Sequence, residues 1–163
     1  MNNAAPEPAG IYLQLRDHIL NLNPAEVGLA PSNEAPHVWG VVVETGYDVG
    51  SATLLSLADG TTSLYYSTGG GMLGSGDYSP VAEASKALVV QAEILLPKIS
   101  SSTGFPLPDV GQVRFIILTY SGIFAATAAE KKLADGSHPL SSLFFQAQNT
   151  LTQLHLSAEK KPK

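Results

Sequence analysis

Residues 69–77 are the one stretch of this chain whose spacing matches a named ligand site. Gly69, Gly71 and Gly74 follow the pattern Gly-x-Gly-x-x-Gly behind an extended run, and Gly70, Ser75, Gly76 and Asp77 fill out the loop. In a dinucleotide site such glycines turn the chain tightly and bring backbone N–H groups to a pyrophosphate at a helix N-terminus. That chemistry needs three further things. The last glycine must open a helix, the strand must be parallel, and an acid about 20 residues on must meet the ribose. Here the helix opens only at Ser79-Pro80, the strand belongs to an antiparallel meander, and the acid at that distance is Glu93 inside a helix. No Gly-Lys-Ser/Thr follows, so the loop is not a P-loop. A backbone cradle for a small polar ligand or an anion survives, although Asp77 opposes an anion by its own charge. Gly69, Gly70, Gly71, Gly74, Ser75, Gly76 and Asp77 are therefore the ligand-binding candidates. The plainer reading is a strand-to-helix connection that glycine permits sterically.

Other side chains capable of proton or metal chemistry are scattered. Glu44 and Asp48 flank one turn and could act as acid and base if the first strand lay near the glycine loop. As turn residues they more simply hydrogen-bond to their own backbone. His18, His37, His138 and His155 lack the clustering of metal ligands, so no metal site is assigned. Gly74-Ser75-Gly76 is too short to be a nucleophile elbow. The chain has no cysteine, which removes thiolate ligands, a cysteine nucleophile and disulfides. No catalytic residue and no cofactor is assigned, and the balance leans away from an enzyme. Tyr65, Tyr66 and Tyr78 could line a pocket or an interface. Strand neighbours face opposite sides, so Tyr65 and Tyr66 are expected on different surfaces.

Charge is sparse. Only 14% of residues are charged, against about a quarter in ordinary domains. The net charge is −5, and three of the nine basic residues, Lys160, Lys161 and Lys163, sit in the tail. Arg16, Lys86, Lys98, Arg114, Lys131 and Lys132 are too few and too dispersed to neutralise phosphates, so nucleic acid is not an expected partner. A surface poor in charge has little to keep copies apart, which points to a buried self-association surface. No run reaches the ~18 apolar residues of a membrane span. The start, Met1-Asn2-Asn3-Ala4-Ala5-Pro6, lacks the basic and apolar regions of a signal peptide. The expected location is cytoplasmic, away from membranes.

Residues 1–9 read as a disordered arm, 10–157 as a single domain and 158–163 as a disordered basic tail. Ile11, Leu15, Ile19 and Leu22 form a helical stripe. Residues 23–37 are a connector that Val27 and Leu29 could pin. Runs at 38–43, 51–58 and 61–67 read as an antiparallel meander, with Asp59-Gly60 as a hairpin turn and Ala52, Leu54 and Leu57 inward. Ser79 and Pro80 are a good cap and first residue for a helix over 80–96. Its main stripe is Val81, Ala84, Leu88, Ala92, Leu95 and Ile99. Val89 and Leu96 flank that stripe, and Ala87, Val90 and Ile94 lie opposite. A helix apolar nearly all round is covered on more than one face. One cover is the sheet, and the other is a second helix or a second subunit. Residues 112–120, apolar on both faces, read as a central strand, with 123–132 as its hairpin partner. Leu140, Leu143, Phe144, Ala147, Leu151 and Leu154 mark a last amphipathic helix.

The elements run α-βββ-α-ββ-α. This is an α+β chain with a single antiparallel sheet of about five strands flanked by helices. The order resembles profilin-like and roadblock-type folds in topology. No residue motif carries that resemblance, so it implies no site. The functional expectation is a non-enzymatic, self-associating protein-interaction domain, a homodimer or the partner of another protein, with Val89, Val90, Ile94 and Leu96 at the interface. The alternative is a small-molecule binder or enzyme built on residues 69–77. A concave pocket walled by that loop, with Glu44, Asp48 or a tyrosine converging on it, would favour the alternative.

Overall fold

In the computed structural model, which describes residues 9–74 and 79–160, the chain opens with helix α1 (Gly10–Leu20). A 3-10 turn (Pro24–Val27) and an extended connector lead to four strands: β1 (Val38–Tyr47), β2 (Gly50–Leu57), β3 (Thr62–Tyr66) and β4 (Gly71–Gly74). Helix α2 (Ser79–Leu95) follows, then the two-residue strand β5 (Ser100–Ser101). The hairpin β6 (Gln112–Thr119) and β7 (Gly122–Ala129), the short helix α3 (Glu130–Ala134) and the long helix α4 (Ser141–Lys160) complete the order. The strands make one antiparallel sheet, β4-β3-β2-β1-β6-β7-β5. No helix among the described residues is long and apolar enough to cross a membrane.

The sheet has seven strands rather than about five. The glycine loop accounts for one of the additions. Its second half pairs back on β3, with Met72 opposite Leu64 and Leu73 opposite Ser63. The other is Ser100-Ser101, which pairs with Ala125 and Phe124 at the far edge. The strand expected over 123–132 ends at Ala129, because Glu130-Lys131-Lys132 starts a helix.

Both faces of the sheet are covered, as the apolar alternation of β1, β2 and β6 requires. Helices α2 and α4 pack on the inner face, where Val41, Val43, Leu54, Phe115 and Ile117 lie in one core with Leu88 and Leu143. Helix α1 and the connector cover the outer face, where Val42, Leu55, Ile116 and Leu118 meet Ile19, Leu29 and Trp39. Leu57 also faces this outer core, and the register shift between Val38 and Gly40 sends Val38 inward and Trp39 outward. In the connector, Leu29 is buried and Val27 is exposed. Helix α1 is rotated from its expected stripe. Tyr12 and Ile19 are buried, whereas Ile11 is 58% exposed. The rotation follows from Arg16, which turns inward to a buried carboxylate.

The main stripe is buried along the whole of α2, from Val81 to Leu95, and at Ile99 just beyond it. The flank of α2 that carries Ala84 and Gln91 is covered by α4, antiparallel beside it, while Ala87 and Ile94 on the opposite side stay exposed. Gln91 Nε2 donates to Ser142 Oγ at 2.9 Å, and Gln146 Nε2 and Thr150 Oγ1 each donate to the Ala84 carbonyl at 3.3 Å. A helix of the same chain thus supplies one further cover of α2, and the side of Ala87 and Ile94 has none among the described residues.

Glu93 fastens the far side of α2 to the start of β1. Its carboxylate accepts the backbone N–H of His37 at 2.7 Å, that of Val38 at 2.9 Å, and the His37 ring Nδ1–H at 2.8 Å. Burial works against the charge, but these donors outweigh it and hold the carboxyl below its ordinary value of 4.5. A carboxyl so lowered binds fewer protons folded than unfolded. Its stabilisation is complete above the unfolded value and is lost as pH falls through the folded one. Glu93→Gln is expected to cost about 1–2 kcal/mol at neutral pH. Urea midpoints of the variant should fall less steeply between neutral and acid pH than those of the parent. Equal slopes would remove Glu93 from the acid response.

Candidate functional site

Two features of the structure bear on function: a cavity beside the glycine loop and the outer face of α2 and α4. The cavity grows from the β3–β4 turn. The Gly69 N–H donates to the Tyr66 carbonyl at 2.9 Å, and the Tyr66 N–H donates to the Gly70 carbonyl at 3.1 Å. Gly69 and Gly70 have φ of +107° and +81°, a region that side chains disfavour. A Cβ on Gly71 would lie 2.2 Å from the Leu64 carbonyl oxygen. The backbone alone therefore explains glycine at these three positions.

Helix α1 is tied over the same turn, since the Ala9 N–H donates to the Ser67 carbonyl at 2.7 Å. Between them lies a cavity of about 280 Å³. Tyr65, Tyr66, Gly70, Gly71 and Met72 form one wall, and Ile11, Tyr12 and Leu15 of α1 form the other. Tyr65 pairs with Thr53 and Tyr66 with Ala52, so they leave opposite faces of β3. Tyr65 packs on the outer core and Tyr66 on the inner one, as strand alternation requires, and both residues border the cavity at the end of β3. Of the loop candidates, Gly70 and Gly71 line the cavity, Gly69 shapes its turn, and Gly74 pairs with Thr62 in β4. Ser75, Gly76 and Asp77, and with them Tyr78, lie outside the described residues.

Behind Tyr12 runs a buried polar network that the sequence did not announce. Glu44 is fully buried on the outer face of β1. Arg16 reaches it from α1 as a two-pronged ion pair, Nε to Oε2 at 2.7 Å and Nη2 to Oε1 at 2.8 Å. The same Nη2 donates to the Phe105 carbonyl, which binds residues 102–111 to α1. Thr53 Oγ1 donates to Glu44 Oε2 at 2.8 Å. With that proton committed, Tyr12 Oη must donate to Thr53 at 2.5 Å, and Ser51 donates in turn to Tyr12 at 3.1 Å. The direction of the chain is thus set by the carboxylate. Burial pushes the Tyr12 phenol up, against the lowering effect of its Ser51 and Thr53 bonds. Burial also opposes the Arg16 charge, and the Glu44 bond outweighs it, so the guanidinium lies above its ordinary value. Gly46 completes the arrangement. A Cβ there would fall 2.1 Å from the Asp109 carbonyl oxygen, so the 102–111 loop seats directly on β1.

Glu44 is therefore not half of an acid–base pair with Asp48. It is spent on Arg16 and Thr53, while Asp48 sits in the exposed β1–β2 turn. Arg114 stands opposite Glu44 on β6, and its Nε donates to Thr127 Oγ1 at 3.0 Å. His18 is exposed, and His37 is bound to Glu93. His138 Nδ1 accepts the Leu140 N–H, and His155 Nδ1 donates to the Leu151 carbonyl. No group of three His, Cys, Asp or Glu side chains among the described residues could hold a metal ion.

The expected interface residues separate. Val89 is 1% exposed and belongs to the inner core, so it is withdrawn from any interface. Val90 and Leu96 are half-buried, and Ile94 is 65% exposed. Beside them α4 exposes Ser142, Phe145, Asn149, Thr152 and Leu156 at steps of three and four. Ile94 and Phe145 lie one turn to either side of the Gln91–Ser142 bond. Residues 141–158 contain no Asp, Glu, Lys or Arg. That silence in the charge pattern was the available signal, and a reading by apolar stripe alone passes over it. Protein-family models, curated proteins and solved structures show no match to this chain.

Proposed function

We propose that the chain is a non-enzymatic protein-interaction domain that pairs with a second copy through the outer face of α2 and α4. The uncharged exposed stripe of α4 carries this reading. A solvated helix face ordinarily presents charged groups to water. Two copies of the uncharged α4 stripe meet without like-charge repulsion. The 17 residues of α2 span ~25 Å at about 1.5 Å each. A contact of that length and two helices wide would bury on the order of 1,000 Å² in total, the lower bound for a specific dimer. Ile94 and Phe145 form its apolar centre, and Val90 and Leu96 adjoin it. A cytoplasmic setting is part of the same proposal and accords with the absence of cysteine. The profilin-like or roadblock-like topology remains a fold-level analogy that contributes no residue to it.

Light scattering at micromolar concentration tests the proposal. The expected mass is twice the 17.1 kDa of the chain. Ile94→Glu and Phe145→Glu, both at exposed positions, should return it to the mass of one chain. A parent protein that is monomeric throughout the micromolar range ends the proposal.

A further inference from the structure

We infer that the cavity between α1 and the β3–β4 turn binds a small, uncharged, planar ring compound. Its volume of about 280 Å³ lies between the ~150 Å³ that admits benzene and the ~300 Å³ lower end of drug-sized sites. That range suits one or two rings. Tyr12 and Tyr65 contribute to the walls from the outer side of the sheet, with Tyr66 at the end of β3, and aromatic rings favour stacked or edge-on contact with another ring. Glycine at 70 and 71 lets such a ring lie against backbone.

The charge of the ligand follows from the walls. None of the described residues lining the cavity is ionic. The nearest ionic pair, Arg16 and Glu44, is mutually satisfied behind Tyr12, whose hydroxyl is committed to Thr53. A charged ligand would give up hydration and find no counter-charge among the described wall residues. Ile11, 58% exposed, stands at the mouth, so entry needs no unfolding of α1. The cavity is roofed by α1, away from the proposed contact face on α2 and α4. Either proposal can therefore fail without the other.

The test uses the full chain with indole as the neutral ring and benzoate as its charged counterpart, followed by amide chemical shifts. Indole should give saturable shifts centred on Tyr66, Gly70 and Gly71. Ile11→Trp, a change at an exposed helical site that blocks the mouth, should weaken indole about tenfold, as should Tyr65→Ala, which removes a wall, and benzoate should bind the parent at least about tenfold more weakly than indole. No saturable shift, shifts centred elsewhere, or unchanged affinity in both variants overturns the site. Benzoate binding as tightly as indole overturns the ligand class.

Discussion

Arg16→Met is expected to destabilise the chain by about 3–5 kcal/mol at neutral pH, because it leaves a buried carboxylate without its counter-charge. Glu44 is fully buried, whereas the Arg16 side chain keeps 13% exposure. The two single changes are therefore unequal. Glu44→Gln leaves a guanidinium that can shift toward water, and should cost less. The double change Arg16→Met with Glu44→Leu should recover much of the loss, since an apolar pair of similar volume avoids desolvating two ions. The double change separates lost charge from lost packing, because it removes the stranded carboxylate without restoring the guanidinium. Urea unfolding followed by circular dichroism at neutral pH reads all three variants. A double variant no more stable than Arg16→Met would show that Arg16 acts by packing alone.

Leu88→Ala should cost about 2–5 kcal/mol, while Ile94→Ala should stay within about 0.5 kcal/mol in the monomer. Both are apolar residues of one helix, six positions apart. Leu88 is fully buried between the sheet and α4, and Ile94 is 65% exposed. The comparison measures how much of the apolar surface of α2 is satisfied within one chain. Thermal or urea unfolding should be done below the concentration at which copies associate. If Ile94→Ala were as costly there as Leu88→Ala, Ile94 would have a cover inside the monomer, and the proposed contact face would lose its centre.

The central part of the fold was legible in residue order because periodicity and burial agree there. Leu88 and Ala92 repeat at helical spacing and are buried, and Phe115 and Ile116 face opposite cores as a two-sided apolar strand requires. Legibility failed where pairing depends on a partner far along the chain. Nothing local marks Met72 as a strand residue until Leu64 lies opposite. Ile11 looks like core until Arg16 rotates α1. The site was legible in part for the same reason. Gly70 and Gly71 could be singled out from composition, but Tyr12 reaches their cavity from 58 residues away in sequence, through α1 packing that no spacing rule encodes. Glu44 was found as a residue and misplaced in role, since its counter-charge comes from an earlier helix.

The sheet's two halves close on very different scales. Strands β1 to β4 follow one another through short turns, as do β6 and β7, so each group assembles from neighbours in the chain. The seam between them joins Val38 to Thr119 and Thr45 to Val113. Loop-closure entropy must be met there before any contact returns it, and non-local pairing of this kind slows folding. The β1–β6 seam is thus the pairing of this sheet that joins the most distant parts of the chain. Glu44 lies on β1 at that seam, and Arg16 of α1 binds both Glu44 and the 102–111 loop that leads into β6, so one side chain ties the two halves together.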